Sequence, residues 1–213
     1  MLGLYHILYS MQLSTLLNIV IVLASLVFHE LAHAYAADAL GDNTPRLRGR
    51  LTLNPKAHLD LWGSIIIPGV LLLMGSGIVF GWAKPVLFNP NNLKNPRRDS
   101  VLIALAGPAS NLVLAGIAAV LVHLVGAVMT TGLLQFLVMV VIINVALAVF
   151  NLVPIPPLDG HYVLFSLIPD KFNHIKQQLR QFSFIILMVF IVAGTHIIDP
   201  VITGIVSFML GGL

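Results

Sequence analysis

Long apolar runs separated by short polar connections dominate the chain, and this pattern predicts membrane-spanning helices. A helix needs about 20 apolar residues to cross a hydrocarbon layer about 30 Å thick. The candidate runs cover residues 13–40, 61–80, 101–129, 132–154 and 182–198. No repeat or hydrophilic domain interrupts the series. The pattern therefore predicts an all-α, polytopic membrane helix bundle: one membrane-embedded domain over 1–213, with a core at 13–169 and accessory C-terminal helices at 170–213.

Three segments depart from a plain span. Residues 61–80 carry Pro68-Gly69 in the middle and further glycines near the end, so we expect a broken or re-entrant segment, with a kinked full span as the alternative. Residues 1–12 lack the charged start and cleavage site of a signal peptide, which favours an interfacial position. Residues 201–213, after the helix breaker Asp199-Pro200, are predicted to form a half-span or an interfacial helix.

The composition supports the membrane assignment. Hydrophobic residues make up 58% of the chain and charged residues 9%, and the mean hydropathy is +0.99. A soluble domain has roughly a quarter of its residues charged, and a disordered chain is poor in large aliphatic residues, so both classes are excluded. The net charge of +3 is too small for a nucleic-acid binder. Because the chain has no cysteine, a metal site must use His, Asp or Glu.

The basic residues fall in three polar connections, which predicts the orientation in the membrane. Cytoplasmic loops are enriched in Lys and Arg, so all three connections are expected on the cytoplasmic side of the membrane. We expect this to be a prokaryotic cell membrane. The clusters are Arg46, Arg48, Arg50 and Lys56; Lys84, Lys94, Arg97 and Arg98; and Lys171, Lys176 and Arg180.

Residues 46–53 read R-L-R-G-R-L-T-L, so that arginine or threonine alternates with leucine or glycine. This period of two predicts a short cytoplasmic-side β-hairpin, whose edge could pair with an unwound peptide. A basic interfacial loop held to anionic lipid explains the same residues. Both interpretations are open at the level of the sequence.

The chemistry is concentrated in the first span, where His29-Glu30-Leu31-Ala32-His33 reads H-E-x-x-H. Chance would give this pattern in roughly one in a thousand chains of this composition. The spacing puts His29 and His33 on one helical face, where both can bind one Zn²⁺, and lets Glu30, the only Glu of the chain, reach a metal-bound water. Such a site hydrolyses peptide bonds. The alternative, a structural His-Glu-His cluster, is disfavoured because ionisable groups in hydrocarbon are costly.

A third ligand is needed, and Asp159 is the candidate. It ends a proline-rich stretch at 151–160, with no basic residue within ten positions, while the other aspartates lie in charged loops. The prolines break the helix and could aim the carboxylate inward. A proline-rich loop that ends in a solvated Asp is the other interpretation.

Three motifs together resemble the site-2 protease family of intramembrane zinc metalloproteases, in its compact prokaryotic form without a PDZ or nucleotide-sensing domain. They are H-E-L-A-H at 29–33, G-P-A-S-N at 107–111 and N-L-V-P-I-P-P-L-D-G at 151–160. The segments 49–55 and 81–85 are similar to the same family. The resemblance implies one zinc ion per chain, with His29, His33 and Asp159 as ligands, Glu30 as the catalytic carboxylate and Asn151 near the reacting carbonyl. An interhelical hydrogen bond is the alternative role of Asn151.

Further residues of these motifs are candidates for supporting roles around the metal. Gly107 and Pro108 are expected to permit close packing against the catalytic helix, and Asn111 to form an interhelical hydrogen bond. His161, two residues after Asp159, could orient that ligand. The same group includes Pro154, Pro156 and Gly160.

The remaining histidines and the two tryptophans have simpler expectations. His123 is expected to be packed or hydrogen-bonded, and Trp62 and Trp82 to act as interfacial anchors. The histidines expected in solvent or at the interface are His6, His58, His174 and His196.

The predicted function is an intramembrane zinc endopeptidase, with transmembrane proteins as substrates, the lipid bilayer as surroundings and an active site nearer the cytoplasmic face. A protease that trims prenylated peptides needs a second Glu ligand, which the chain lacks. A non-enzymatic membrane metal-binding protein or transporter would not need Glu30 beside His29.

Overall fold

The computed structural model describes residues 2–67, 69–70, 74 and 84–211, and it describes residues 2–16, 65, 193 and 195 by their backbone alone. The α-helices are α1 Leu2–Ala39, α2 Thr44–Leu47, α3 Pro55–His58, α4 Pro96–Val125, α5 Thr131–Asn151, α6 Gly160–Leu167, α7 Asn173–Gln181, α8 Ser183–Ala193 and α9 Thr195–Leu210. A π-helical turn, Leu61–Ile66, and 3₁₀ turns at Pro90–Asn92, Gly126–Val128 and Asp170–Phe172 complete the described elements.

Three helical stretches are long and apolar enough to cross a membrane: Leu17–Ala39, Pro96–Val128 and Thr131–Asn151. A bent pair, Asp170–Gln181 and Ser183–Val192 at 61°, would add a fourth if it forms one span. These stretches confirm the predicted helical membrane architecture.

The chain forms two compact units, Leu26–Gly107 and Met1–Ser25 with Pro108–Leu213. In the first unit, α1 ends at Ala39 and the chain turns at Gly41, whose φ of 107° is a conformation that glycine adopts readily. Helix α4 begins with reciprocal bonds at its first turn, because Asp99 accepts from the Asn95 N–H at 2.8 Å and the Asp99 N–H donates to the Asn95 carbonyl. Ala37, Leu93 and Ile103 form the buried apolar cluster between them.

In the second unit, α4, α5 and α9 pack around one apolar cluster. Small residues of α4 let the helices approach closely, as is common in membrane bundles. The buried members are Ala115, Ala118, Ala119, Val122, Val141, Val145 and Leu210. His123 Nε2 donates to the Met209 carbonyl at 2.8 Å, since a carbonyl oxygen can only accept. This bond agrees with the expected hydrogen-bonded role of His123.

Two sequence predictions about elements are wrong. Residues 46–53 contain no strand: Pro45 favours the first turn of α2, and Gly49, at a φ of 67°, turns the chain. The predicted span at 182–198 is interrupted at Gly194, while α9 continues through Pro200. Pro200 is the sixth residue of α9, so its ring removes the N–H that would bond the His196 carbonyl, and the helix continues despite this loss.

The segment 61–80 is described in part. Its π-helical turn begins at Asp60, whose Oδ1 accepts from the Gly63 N–H at 2.7 Å, while the Asp60 N–H donates to Ser64 Oγ at 3.1 Å. Pro68 and the glycines at 75, 77 and 81 lie outside the described residues, as does Trp82. The broken or re-entrant form therefore stays a prediction.

Candidate metal centre

His29 and His33 lie one turn apart on α1 and present converging imidazoles. Their Nε2 atoms are 3.1 Å apart, and the rings meet edge to face at 87°. Both side chains are buried, at 3% and 7% exposure. The spacing of the motif thus places two ligating nitrogens together in an apolar setting.

The backbone of α4 fixes the protonation of His33. Its Nδ1 lies 2.7 Å from the carbonyl oxygen of Ile103. Because a carbonyl cannot donate, Nδ1 must carry the hydrogen, which leaves a lone pair on Nε2 of the neutral ring. Metal-binding histidines are commonly held in this way, with the second nitrogen donating to a carbonyl or carboxylate.

Gly107 makes room for the imidazole pair. A Cβ at this position would collide with Nε2 of His33 and would lie 2.6 Å from Nε2 of His29. The next residue, Pro108, is inside α4 and has no N–H, so the Ala104 carbonyl loses its donor within the helix. A residue without a side chain is therefore required where α4 passes the two imidazoles.

The carboxylate of Glu30 is buried, at 8% exposure, and is held by the backbone. The Val86 N–H donates to its Oε2 at 2.9 Å. Hydrogen bonds from a backbone amide to a carboxylate stabilise the charged form and fix its orientation. No sequence pattern marks Val86 as a partner of Glu30, because its side chain is apolar and the contact spans 56 positions.

The segment 84–89 that carries Val86 contains no helix or strand and is anchored at both ends. At one end the Lys84 N–H donates to the His58 carbonyl at 2.8 Å, and Arg50 Nη1 donates to the Lys84 carbonyl at 3.4 Å. At the other end the Asn89 N–H donates to Asp42 Oδ2 at 2.6 Å. These bonds fix the position of the Val86 N–H against Glu30.

Two residues of these anchors were expected in solvent or in a charged loop and are buried instead. Arg50 also donates to the carbonyl of Ala57, and the fully buried His58 bonds the Thr52 carbonyl through Nε2 at 2.7 Å. The expectation of a solvated or interfacial His58 is therefore wrong. Loop backbone carbonyls, which no side-chain pattern reveals, are the partners that make this burial tolerable.

Asp42 is the most heavily bonded carboxylate of this region. It has no exposed surface and also accepts from the Thr44 N–H at 3.1 Å, Thr44 Oγ1 at 2.5 Å and Asn92 Nδ2 at 2.7 Å. Burial alone raises the pKa of Asp42, but the hydrogen bonds from Thr44, Asn89 and Asn92 outweigh it and leave the pKa below its ordinary value.

The imidazole pair fits a tetrahedral metal ion. Two nitrogen ligands at the Zn–N distance lie about 3.3 Å apart in a tetrahedron, close to the observed 3.1 Å. The neutral ring of His33, the burial and the orienting carbonyl are the features that such ligands have. The two imidazole nitrogens of this unit therefore suit zinc, and a catalytic zinc site would need a third protein ligand in addition.

The second unit carries Asp159 at the end of a proline-rich loop. After α5 the backbone makes short turns, including Ile155 N–H to the Val153 carbonyl at 2.8 Å and Leu158 N–H to the Ile155 carbonyl at 2.9 Å. Pro154, Pro156 and Pro157 cannot donate to a helix. Asp159 is half-buried and stands at the start of α6, whose first turn its side chain does not cap.

The loop closes on itself through Gly160 and His161. A Cβ at Gly160 would collide with the Leu152 carbonyl, so the close approach of the two ends of the loop requires glycine. His161 is buried and donates from Nδ1 to the Leu158 carbonyl at 2.7 Å. His161 thus stabilises the loop just before Asp159.

Helices α4 and α5 of this unit contain three asparagines whose side chains are hydrogen-bonded. Asn111 in α4 donates to Asn144 Oδ1 in α5 at 2.9 Å, which is the interhelical bond expected of Asn111. Asn151, the last residue of α5, donates to the Leu147 carbonyl at 2.9 Å within its own helix. Asn144 was missed, since it lies alone in an apolar run.

An apolar helix with two converging imidazoles and one oriented carboxylate defines a membrane-embedded metalloprotease of the H-E-x-x-H type. The sequence model of peptidase family M50 matches residues 17–127 and 120–194. The chain therefore belongs to this family, the site-2 protease family that its motifs resemble.

Individual relatives agree. Over 193 residues the chain is 40% identical to YwhC of Bacillus subtilis (strain 168), which is provisionally named a zinc metalloprotease; the match covers 86% of this chain and 84% of YwhC. Proteins with the same provisional description, named Rip2, are 31% identical in Mycolicibacterium smegmatis and 30% identical in Mycobacterium tuberculosis H37Rv. These matches cover 80% and 81% of this chain and 64% and 65% of the Rip2 proteins. No solved structure matches the chain.

Proposed function

We propose that the protein is a zinc endopeptidase that hydrolyses peptide bonds in or near transmembrane segments of other membrane proteins. The observation that carries this proposal is the buried Glu30 carboxylate, oriented by the Val86 N–H and adjacent in α1 to two imidazoles that suit a metal. A carboxylate beside two imidazoles in an apolar helix is costly, and such intramembrane groups are typically functional. The apolar helices support membrane substrates and a lipid environment.

His29, His33 and Asp159 are the proposed zinc ligands. They offer two imidazole nitrogens and one carboxylate oxygen, which is a common ligand set for catalytic zinc. The family model matches both the segment of the two histidines and the segment of the aspartate. When bound, zinc lowers the pKa of a water ligand and polarises the scissile carbonyl.

Glu30 is the proposed general base and general acid. Its Oε2 is held by Val86, so the other carboxylate oxygen accepts the proton of the attacking water and passes it to the leaving amine. Burial excludes bulk water around the carboxylate and strengthens its hydrogen bond. Each turnover returns Glu30 to its ionised form.

Asn151 is proposed to hold the substrate carbonyl. Its side-chain amide has two hydrogens, and the bond to the Leu147 carbonyl uses one of them. The second can donate to the carbonyl oxygen of the scissile bond or to the oxyanion that forms from it. A substrate helix must first unwind, because its own hydrogen bonds cover that carbonyl.

The charge pattern supports a cytoplasmic-side active site. His29 and His33 lie within 10 residues of the end of α1, at which the first basic cluster begins. The positive-inside rule places this end in the cytoplasm. Regulated intramembrane proteolysis, with release of a cytoplasmic fragment, is the biological role that follows.

The experiment reconstitutes the purified protein with single-span substrate proteins in the same lipid vesicles and identifies the products by mass spectrometry. We expect a cut within or beside the apolar segment of a substrate. Glu30→Gln should reduce the rate at least a hundredfold, since it removes the proton acceptor. A zinc chelator should abolish cleavage by the unaltered protein.

Asp38→Asn is the matched control. This carboxylate lies two turns further along α1 and is paired with Arg46 at the surface, so cleavage should continue at the wild-type rate. Cleavage that survives Glu30→Gln would reject the mechanism. Cuts confined to soluble regions of the substrates would reject the intramembrane role.

A further inference from the structure

Two buried asparagines link three apolar helices of the second unit by two interhelical hydrogen bonds. Asn111 in α4 is 0% exposed and Asn144 in α5 is 1% exposed. Both helices belong to stretches that are long enough to span a membrane. Amides in such surroundings are costly unless they are hydrogen-bonded, so their partners indicate what they are for.

Asn111 of α4 is the donor in both interhelical hydrogen bonds, one to α5 and one to α1. Asn144 Nδ2 donates to the Val140 carbonyl at 2.9 Å, which turns its Oδ1 towards α4. Asn111 Nδ2 donates to that Oδ1 at 2.9 Å and to the carbonyl of Ser25 in α1 at 3.4 Å. The orientation of the Asn111 amide is therefore set by Asn144.

Along α1, the end of this series is one helical turn before the H-E-x-x-H motif. Ser25 is four residues before His29, and its carbonyl is the one to which the His29 N–H is directed in a regular α-helix. On α4, Asn111 is four residues after Gly107, which lies against the two imidazoles. The asparagine contact and the glycine contact thus occupy successive turns of the same helix pair.

We propose that Asn144 is a positioning residue of the peptidase: through Asn111 it holds α1 in the rotation and register that present His29 and His33 to the metal. The inference rests on the proposed zinc peptidase function. Asn144 does not touch the site itself, and nothing in the sequence marks it. Loss of the Asn144 oxygen leaves the Asn111 amide without its main acceptor and frees α1 to shift.

The test measures zinc affinity, which does not depend on any substrate. Wild type and Asn144→Leu are stripped of metal in detergent and titrated with zinc against a competing chelator. Hydrogen bonds between membrane helices change equilibria by about three- to twentyfold, so we expect Asn144→Leu to bind zinc about tenfold more weakly. In peptide cleavage, kcat should fall by a similar factor while KM stays unchanged.

Val141→Ala is the matched control, because Val141 is also buried in α5, one turn away, but is apolar. It should lower the thermal unfolding midpoint without changing zinc affinity or kcat. If Asn144→Leu does not fold, Asn111→Leu/Asn144→Leu replaces it, since that double variant leaves no buried amide unpaired. It should bind zinc as weakly as the single variant.

The outcomes separate the two proposals. Wild-type zinc affinity in the asparagine variants overturns the positioning role and leaves the peptidase intact. An equal loss of zinc affinity in Val141→Ala shows a general packing effect and overturns the positioning role as well. A wild-type protein that binds no zinc overturns the proposed function, and the inference falls with it.

Discussion

At the scale of single residues, the metal centre depends on Gly107, because any larger residue would collide with the two imidazoles. Gly107→Ala places a methyl group against Nε2 of both imidazoles, so we expect zinc content to fall from one ion per chain to nearly none. Gly116→Ala is the control on the same helix, because a Cβ there meets nothing within 4 Å. Metal analysis of the two purified variants checks the prediction. Full zinc occupancy in Gly107→Ala would contradict it.

The backbone N–H of Val86 can be removed by proline. Val86→Pro deletes the donor to Glu30 Oε2, and hydrogen bonds to charged groups are worth roughly 1.5–3 kcal/mol. We expect kcat to fall about ten- to a hundredfold with zinc binding unchanged. Val86→Ala keeps the N–H and should retain activity. Equal rates for the proline and alanine variants would show that this bond does not orient Glu30.

The residues of the H-E-x-x-H motif were predictable because helical spacing alone places the two imidazoles on one face. Their supporting contacts were not. The Ile103 carbonyl is 70 positions from His33, the Val86 N–H is 56 from Glu30, and Asn144 is 33 from Asn111. Two of these three partners are backbone groups, which every residue has and no sequence pattern identifies.

At the scale of elements, the position of the segment 84–89 depends on Asp42. Asp42→Asn keeps one acceptor oxygen but loses the charge that the donors of Thr44, Asn89 and Asn92 surround. We expect the thermal unfolding midpoint at pH 7 to fall by about 5 °C. A replacement of the exposed Asp170 by Asn is the control and should leave the midpoint unchanged.

The pH dependence gives a second measurement of the same bond network. Because the folded pKa of Asp42 lies below its ordinary value, its contribution to stability is complete above that ordinary value, about 4, and is lost as the pH falls through the lower folded pKa. The difference between wild type and Asp42→Asn should be constant from pH 8 to about pH 5 and shrink below about pH 4. A difference that grows towards acid pH would contradict this account.

Element types were more predictable than element ends. Apolar runs of about 20 residues located α1, α4 and α5, because hydrocarbon requires that length of helix. The strand predicted at 46–53 failed because Pro45 and Gly49 determine the local backbone more strongly than alternation does. The helix break lies at Gly194 and not at Pro200, which is inside α9.

At the scale of the whole molecule, charge has two separate uses. Most basic residues lie in the connections between apolar helices. Their positions predict that these connections face the cytoplasm. Glu30, by contrast, is buried in an apolar helix, where an ionisable group without a function is costly. Arg50, Asp42 and Asp99 are also buried, but they lie in loops or at a helix start and not beside the two imidazoles. Their roles are structural.

The central claim is that the imidazole pair and Glu30 form a zinc-dependent peptidase centre. The most direct measurement strips the purified protein of metal, returns zinc stepwise and follows the cleavage rate of a membrane substrate in wild type and Glu30→Gln. We predict that the wild-type rate rises until one zinc ion is bound per chain. Glu30→Gln should bind the same amount of zinc and remain at least a hundredfold slower. Undiminished cleavage by the stripped protein, or by zinc-loaded Glu30→Gln, would contradict the account.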